Sequence, residues 1–84
     1  MDENVHLSEQ ADHHIDITRD ICPMTFVRTR LALDRLATGQ TLLVQLRGEE
    51  PRRNVPRSAV EQGHTVLQQR DNLDGTTELL LRKG

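Results

Sequence analysis

Residues 41–47, TLLVQLR, begin with a nearly continuous apolar run, and this run limits the fold more than any other feature of the chain. Continuous apolar segments are typical of strands buried on both faces, whereas half-exposed strands alternate apolar and polar residues. We therefore predict a strand over 41–47 in a central position of a sheet.

Three further segments have the pattern of strands. HIDIT (14–18) alternates, with Ile15 and Ile17 on one face, and HTVLQQR (64–70) and TTELLLR (76–82) come later in the chain. Because only the short DNLDG segment separates the last two strands, they are predicted to form an antiparallel hairpin.

Two helices are predicted between these strands. Pro23 suits the first position of a helix and Gly39 follows its end, which gives a helix from about Pro23 to Ala37. At the helical period, the residues that face the sheet are Phe26, Thr29, Leu33, Leu36 and Ala37, with Ala32 at the edge. A second, short helix is predicted over 55–63, with Pro56 near its first turn, after a charged loop at 48–54.

The order β-α-β-α-β-β predicts an α/β (α+β) fold with helices on one face of a four-stranded sheet. The 84 residues suit one small domain over 14–84, preceded by a flexible polar tail at 1–13. Phe26 is the only aromatic residue, so the core must be aliphatic. With a single aromatic ring a base-stacking module is not expected, and neither is direct binding of nucleic acid.

The charge of the chain is uneven. Residues 1–27 carry six acidic residues against Arg19 and sum to −5, whereas residues 28–57 carry seven arginines against three acidic residues and sum to +4. A basic middle in a mildly acidic chain indicates a local docking surface, with an ordinary solvated mixed-charge surface as an equal alternative.

Cys22 is the only cysteine, so the chain has no internal disulfide and needs no oxidising compartment. No signal segment and no run of about 18 apolar residues is present, so a cytoplasmic protein without a membrane partner is expected. His6, His13 and His14 form no compact zinc pattern with Cys22, and neither a metal nor another cofactor is expected.

The predicted helix start gives Cys22 a possible chemical role. Free backbone N–H groups and the positive end of the helix dipole stabilise an anion such as a thiolate or a persulfide, and Arg19 adds positive potential that Asp16 and Asp20 oppose. Neither a base and orienting group for hydrolysis nor a second cysteine for a redox cycle accompanies Cys22. Residue chemistry alone leaves two interpretations open, a thiol that carries a group between proteins and a half-buried core residue.

The segment DITRDICPMT has a strand, an Asp and then Cys-Pro at the start of a long helix, and LALDRLATGQTLLVQL, RRNVPRSAVEQGHTVL and LLLRKG follow it. In these segments, which cover about residues 14 to 84, the chain resembles the TusA/SirA-like sulfur carrier proteins. The resemblance implies a two-layer sandwich with a mixed sheet. It also implies a sulfurtransferase-like carrier, not a self-sufficient enzyme, that holds sulfur as a persulfide on Cys22. A cysteine desulfurase or a rhodanese-like protein would donate the sulfur, and a protein of tRNA thiolation or sulfur metabolism would accept it.

The C-P-x-P signature of the family is only partly present. Pro23 matches its first proline and Asp16 the upstream acidic position, but Thr25 stands at the second proline and Arg19 at a frequent glycine. We expect the Thr25 hydroxyl to hydrogen-bond nearby backbone and to support the helix start less rigidly than a proline.

Six arginines are candidates for docking a partner protein. Arg28 and Arg35 lie on the outward side of the first predicted helix, near Val27, Arg30 and Leu31. The full set is Arg19, Arg28, Arg35, Arg52, Arg53 and Arg57. The alternative function is a non-catalytic regulatory or interaction module with an inert Cys22, and a redox-sensing thiol would need a cysteine from another chain.

Overall fold

A computed structural model of the protein describes residues 11–84 and confirms the predicted element order. The predicted tail at 1–13 lies mostly outside the described residues, but its last residue already begins the first strand, one residue before the predicted start. The elements are β1 (His13–Asp16), α1 (Met24–Asp34), β2 (Thr41–Arg47), α2 (Glu49–Glu61), β3 (Thr65–Asp71) and β4 (Thr76–Arg82).

The four strands form one mixed sheet in the order β1-β2-β4-β3. β1 pairs with β2 in parallel, and β4 lies antiparallel between β2 and β3. The central position of β2 and the antiparallel β3–β4 hairpin are therefore confirmed, and the bounds predicted for β2 and β4 match the structure. β3 is an edge strand with a bulge between Val66 and Gln68.

Both helices pack on one face of the sheet, as predicted, over an aliphatic core. Phe26 is only partly buried against this core, and a second small cluster of Leu43, Leu80 and Ala11 lies on the opposite face. The buried residues shared by the helices and the sheet are Ile17, Leu33, Leu36, Leu42, Val44, Leu46, Val55, Ala59, Leu79 and Leu81.

The first helix is shorter than predicted and ends at Asp34, so Ala37 is exposed and does not face the sheet. Lys83 Nζ donates a hydrogen bond of 2.8 Å to the Leu33 carbonyl, which satisfies a group that a longer helix would have used. Beyond the helix, Gln40 Oε1 accepts the Ala37 N–H at 2.8 Å. These side-chain contacts were not visible in the helical pattern.

The predicted loop at 48–54 is wrong, because α2 already begins at Glu49. Gly48, with φ 106°, turns the chain from β2 into the helix. Pro51 is the third residue of the helix, where a backbone N–H would have no partner within the helix. Pro56 lies further inside and leaves the Arg52 carbonyl without its helical donor, and Gln69 Nε2 contacts this carbonyl at 3.4 Å instead.

The topology brings both helix starts to the same end of the strands. α1 follows β1 and α2 follows β2, and these two strands are parallel, so each helix begins at the carboxyl end of this strand pair. The β3–β4 turn lies at this end of the sheet as well, because Arg47 at the end of β2 pairs with Thr76 at the start of β4. Among residues 11–84, no helix is both long enough and apolar enough to cross a membrane.

Candidate functional site

Cys22 lies in the loop 17–23, which connects β1 to α1 through two tight turns. Ile17 is buried in the core, and its N–H donates to the Gln45 carbonyl at 2.8 Å. The first turn is closed by the Asp20 N–H on the Ile17 carbonyl at 3.1 Å, and the second by the Met24 N–H on the Ile21 carbonyl at 2.7 Å. The peptide bond from Cys22 to Pro23 is cis, as in turns with proline in third place.

The helix starts one residue later than predicted, so Pro23 is its cap and not its first residue. The Pro23 carbonyl accepts the N–H groups of Phe26 and Val27, both at 3.1 Å, which begins the hydrogen-bond ladder of the helix. Cys22 is therefore just outside the first turn of α1, at the positive end of the helix dipole.

The thiol of Cys22 is exposed, and no hydrogen bond joins its side chain to another described residue. Cys22 lines none of four depressions found on residues 11–84. His13 at the start of β1 and His64 just before β3 lie at the opposite end of the strands from Cys22. The interpretation of Cys22 as a core residue is wrong, because a core cysteine would be buried.

Asp16 ends β1 and organises the first residues of the loop. Its Oδ1 accepts the Thr18 hydroxyl at 2.7 Å and the Thr18 N–H at 2.9 Å. These hydrogen bonds hold the pKa of Asp16 below its ordinary value, and the charges of Arg19 and Arg28 act in the same direction. Because the folded-state pKa is the lower one, the stabilisation is present above the ordinary carboxyl pKa and is lost as the pH falls through the folded value.

The predicted docking arginines near Cys22 differ in how they are bound. Arg28 forms an ion pair with Asp20, with 2.6 Å between Nη1 and Oδ2, and the same Nη1 lies 3.4 Å from the Asp16 carbonyl. Arg19 and Arg35 are exposed and form no ion pair with a described residue. Arg19 and Arg35 are therefore available to an external acidic group.

The arginines of α2 are paired with acidic residues. Arg52 contacts Asp71 at 2.9 Å and Glu49 at 3.4 Å, and it lines a depression of about 290 Å³ beside the β3–β4 turn. The lining of this depression includes no residue of the loop 17–23. Arg53 and Arg57 form longer, exposed pairs at 3.6 and 3.7 Å with acidic residues of the same helix. Such exposed pairs are weak and can exchange for a partner's carboxylates.

Thr25 does not make the hydrogen bond that its sequence position led us to expect. Its side chain is only 1% exposed, and its Oγ1 is buried without a partner among the described residues. Its backbone carbonyl instead accepts the Thr29 hydroxyl at 2.8 Å. Thr25 is thus a core residue that carries an unsatisfied hydroxyl, which costs stability.

Replacing Thr25 by valine is expected to stabilise the protein. Valine has nearly the same shape, and it removes the buried hydroxyl, so the free energy of unfolding should rise by about 1 kcal/mol. Urea unfolding followed by circular dichroism measures the change. Thr29→Val is the matched control and should lower stability, because the Thr29 hydroxyl is hydrogen-bonded. Equal losses in both variants would mean that the Thr25 hydroxyl finds a partner in solution.

An exposed apolar stripe runs from the loop along α1, and the sequence pattern indicated only part of it. Ile21 and Met24 flank Cys22, with exposed fractions of 78% and 45%, and Val27 and Leu31 continue the stripe at helical spacing. The last two were noted on the outward side, but Ile21 was missed because a loop residue has no helical period.

Within residues 11–84, no group of three or more potential ligands could hold a metal ion.

Comparison with known proteins places these features in a family. A protein of Archaeoglobus fulgidus named "Putative sulfur carrier protein" is 40% identical over 58 residues, which cover 69% of this chain and 66% of that protein. The crystal structure of a SirA-like protein from Desulfitobacterium hafniense has the same fold, with a TM-score of 0.76, 23% identity, and coverage of 86% of this chain and 97% of that one. The family model for sulfurtransferase TusA matches residues 13–83, and this chain therefore belongs to the TusA family.

Proposed function

We propose that this protein carries sulfur as a persulfide on Cys22 and relays it between a donor and an acceptor protein. The observation that supports this most is the position of the exposed, free thiol just before the start of α1. Membership of the TusA family supports a role in sulfur transfer in general terms.

The proposed loading step is an exchange between sulfur atoms. The Cys22 thiolate attacks the terminal sulfur of a persulfide on the donor, which forms a new S–S bond on Cys22. The S–S bond of the donor breaks, and its cysteine leaves as a thiolate that takes up a proton. No external oxidant or reductant is required. Delivery to an acceptor thiol repeats the same exchange, and the helix start favours the anionic form of the sulfur at each stage.

An exposed thiol without a pocket suits a protein partner better than a small substrate. A small molecule is normally held in a concave site that buries most of its surface, whereas Cys22 is exposed and lines none of four depressions found on residues 11–84. The apolar stripe of Ile21, Met24, Val27 and Leu31 offers a protein surface next to the sulfur. Arg19 and Arg35, which form no ion pair within residues 11–84, favour an acidic rim on that partner.

Incubation with a cysteine desulfurase, cysteine and pyridoxal phosphate tests the proposal, with intact-protein mass spectrometry as the readout. The protein should gain about 32 Da, the mass of one sulfur atom added as a persulfide, and reduction with dithiothreitol should remove it. Protein whose thiol was first alkylated with iodoacetamide is the control and should gain nothing.

A missing mass gain with both a desulfurase and a rhodanese-type donor would contradict the carrier function. The chain would then be better explained as an interaction module that uses the apolar stripe and the arginines. A mass gain that persists after alkylation would place the sulfur elsewhere than on Cys22. The identity of the accepting protein, in tRNA thiolation or in sulfur metabolism, would be pursued with the loaded protein.

A further inference from the structure

We propose that Arg28 is a positioning residue that fixes the loop carrying Cys22, and that it acts through Asp20. This inference rests on the proposed sulfur transfer. It changes the role of Arg28 from a residue that binds a partner to a residue that arranges the protein's own thiol. The basis is the contact of one guanidinium with both ends of a five-residue segment that stops two residues before Cys22.

The contacts of Arg28 join the loop to the second turn of α1. Nη1 of Arg28 lies 2.6 Å from Oδ2 of Asp20 and 3.4 Å from the carbonyl oxygen of Asp16. The Asp20 side chain is only 23% exposed, so its carboxylate is partly withdrawn from water and depends on this partner. The ion pair therefore connects the end of β1, the loop and the helix in one arrangement.

The loop has internal hydrogen bonds that this ion pair can hold in register. The Asp20 N–H closes the first turn on Ile17, and the Met24 N–H closes the second turn around Cys22. Asp20 is the junction of the two turns, since it ends one and immediately precedes Ile21 at the start of the other. Fixing the Asp20 side chain therefore restricts the direction in which the second turn presents the thiol.

The direction of the thiol matters for an exchange between two sulfur atoms. The attacking sulfur must approach along the axis of the S–S bond that breaks, so a loop with several arrangements is in the reactive one for only part of the time. The ion pair also neutralises Asp20, whose carboxylate would otherwise repel an anionic sulfur two residues away. Loss of either partner is expected to slow transfer from a protein donor.

Arg28→Gln and Asp20→Asn test the proposal together with their double variant. Each single variant should lower the rate of sulfur loading from the desulfurase about tenfold, and the double variant should be no slower than either single one. Arg30→Gln is the matched control, because it removes an exposed arginine of the same helix that forms no ion pair with a described residue and is not among the docking candidates, and it should leave both the loop and the loading rate unchanged.

Hydrogen exchange measured by NMR is the second readout, and it needs no sulfur donor. The amides of Asp20 and Met24 should exchange faster in Arg28→Gln and in Asp20→Asn than in the parent, while the Leu33 amide and the thermal midpoint stay close to parent values. The Arg30→Gln variant should show parent exchange at both loop amides. This pattern separates ordering of the loop from a general loss of stability.

Two results would overturn the proposal. Loop amides that exchange at the parent rate in Arg28→Gln would show that the guanidinium does not order the loop. Slow loading in Arg28→Gln with normal loading in Asp20→Asn would show that Arg28 binds the partner directly. If the parent takes up no sulfur at all, the proposed function fails and the role in transfer fails with it, whereas the exchange data still report whether Arg28 holds the loop.

Discussion

Cys22→Ser is expected to abolish sulfur loading while leaving the fold intact. A serine hydroxyl is not ionised near neutral pH and forms no persulfide, so the mass gain seen with the parent should disappear completely. Because Cys22 is exposed and its side chain fills no part of the core, the free energy of unfolding should change by less than about 0.5 kcal/mol. Mass spectrometry and urea unfolding of the same preparation measure both quantities.

Binding separates this variant from the alternative function. A carrier with serine at position 22 should still bind its donor through the surface around the loop, but it should transfer no sulfur to an acceptor. If the variant supports every measurable activity of the parent, the thiol is not the functional group and an interaction module is the better explanation. Cys22→Ala repeats the test without a hydroxyl.

Leu81→Ala is expected to have the largest effect on stability. Leu81 is fully buried on the central strand β4 and lies between Leu42 of β2 and Val66 of β3 in the register of the sheet. Truncation removes side-chain contacts in the core and leaves a cavity. Such a change lowers the free energy of unfolding by about 3 kcal/mol in typical cores. Small domains are stable by only about 5–15 kcal/mol in total, so this variant should lose a large part of its stability.

Circular dichroism during urea unfolding measures this loss, since the single aromatic residue, Phe26, gives little optical signal. Leu73→Ala is the matched control, because Leu73 is fully exposed in the β3–β4 turn and its truncation should leave stability nearly unchanged. A similar midpoint for Leu81→Ala and the parent would mean that the core tolerates the cavity by collapsing around it.

The strands could be predicted because the pattern of apolar residues in a strand depends only on whether one or both of its faces are buried. The apolar run of β2 was sufficient to place that strand centrally, and the short turn before β4 was sufficient to pair β4 with β3. The helices were predicted less well, since their ends depend on contacts with distant residues. Lys83 binds the end of α1 from fifty positions away, and Gln69 contacts the carbonyl that Pro56 leaves unpaired. A local pattern carries no information about such partners.

The candidate site shows the same division between local and distant information. Cys22 and Pro23 could be placed at a helix start from their neighbours in sequence. The burial of Thr25 and the ion pair of Arg28 with Asp20 could not, because both depend on how the loop folds back onto α1. Six of the arginines were predicted as docking candidates, whereas the structure distinguishes Arg28, which is bound within the chain, from Arg19 and Arg35, which form no ion pair with residues 11–84.

The bulge in β3 affects how this protein behaves at high concentration. An edge strand with a regular ladder can recruit a second chain and begin a fibril, because its outer N–H and C=O groups are ready to pair. The register shift between Val66 and Gln68 interrupts that ladder, and the exposed Arg70 and Asp71 would lose hydration if another strand covered them. The protein can therefore reach a high concentration without polymerising through this edge.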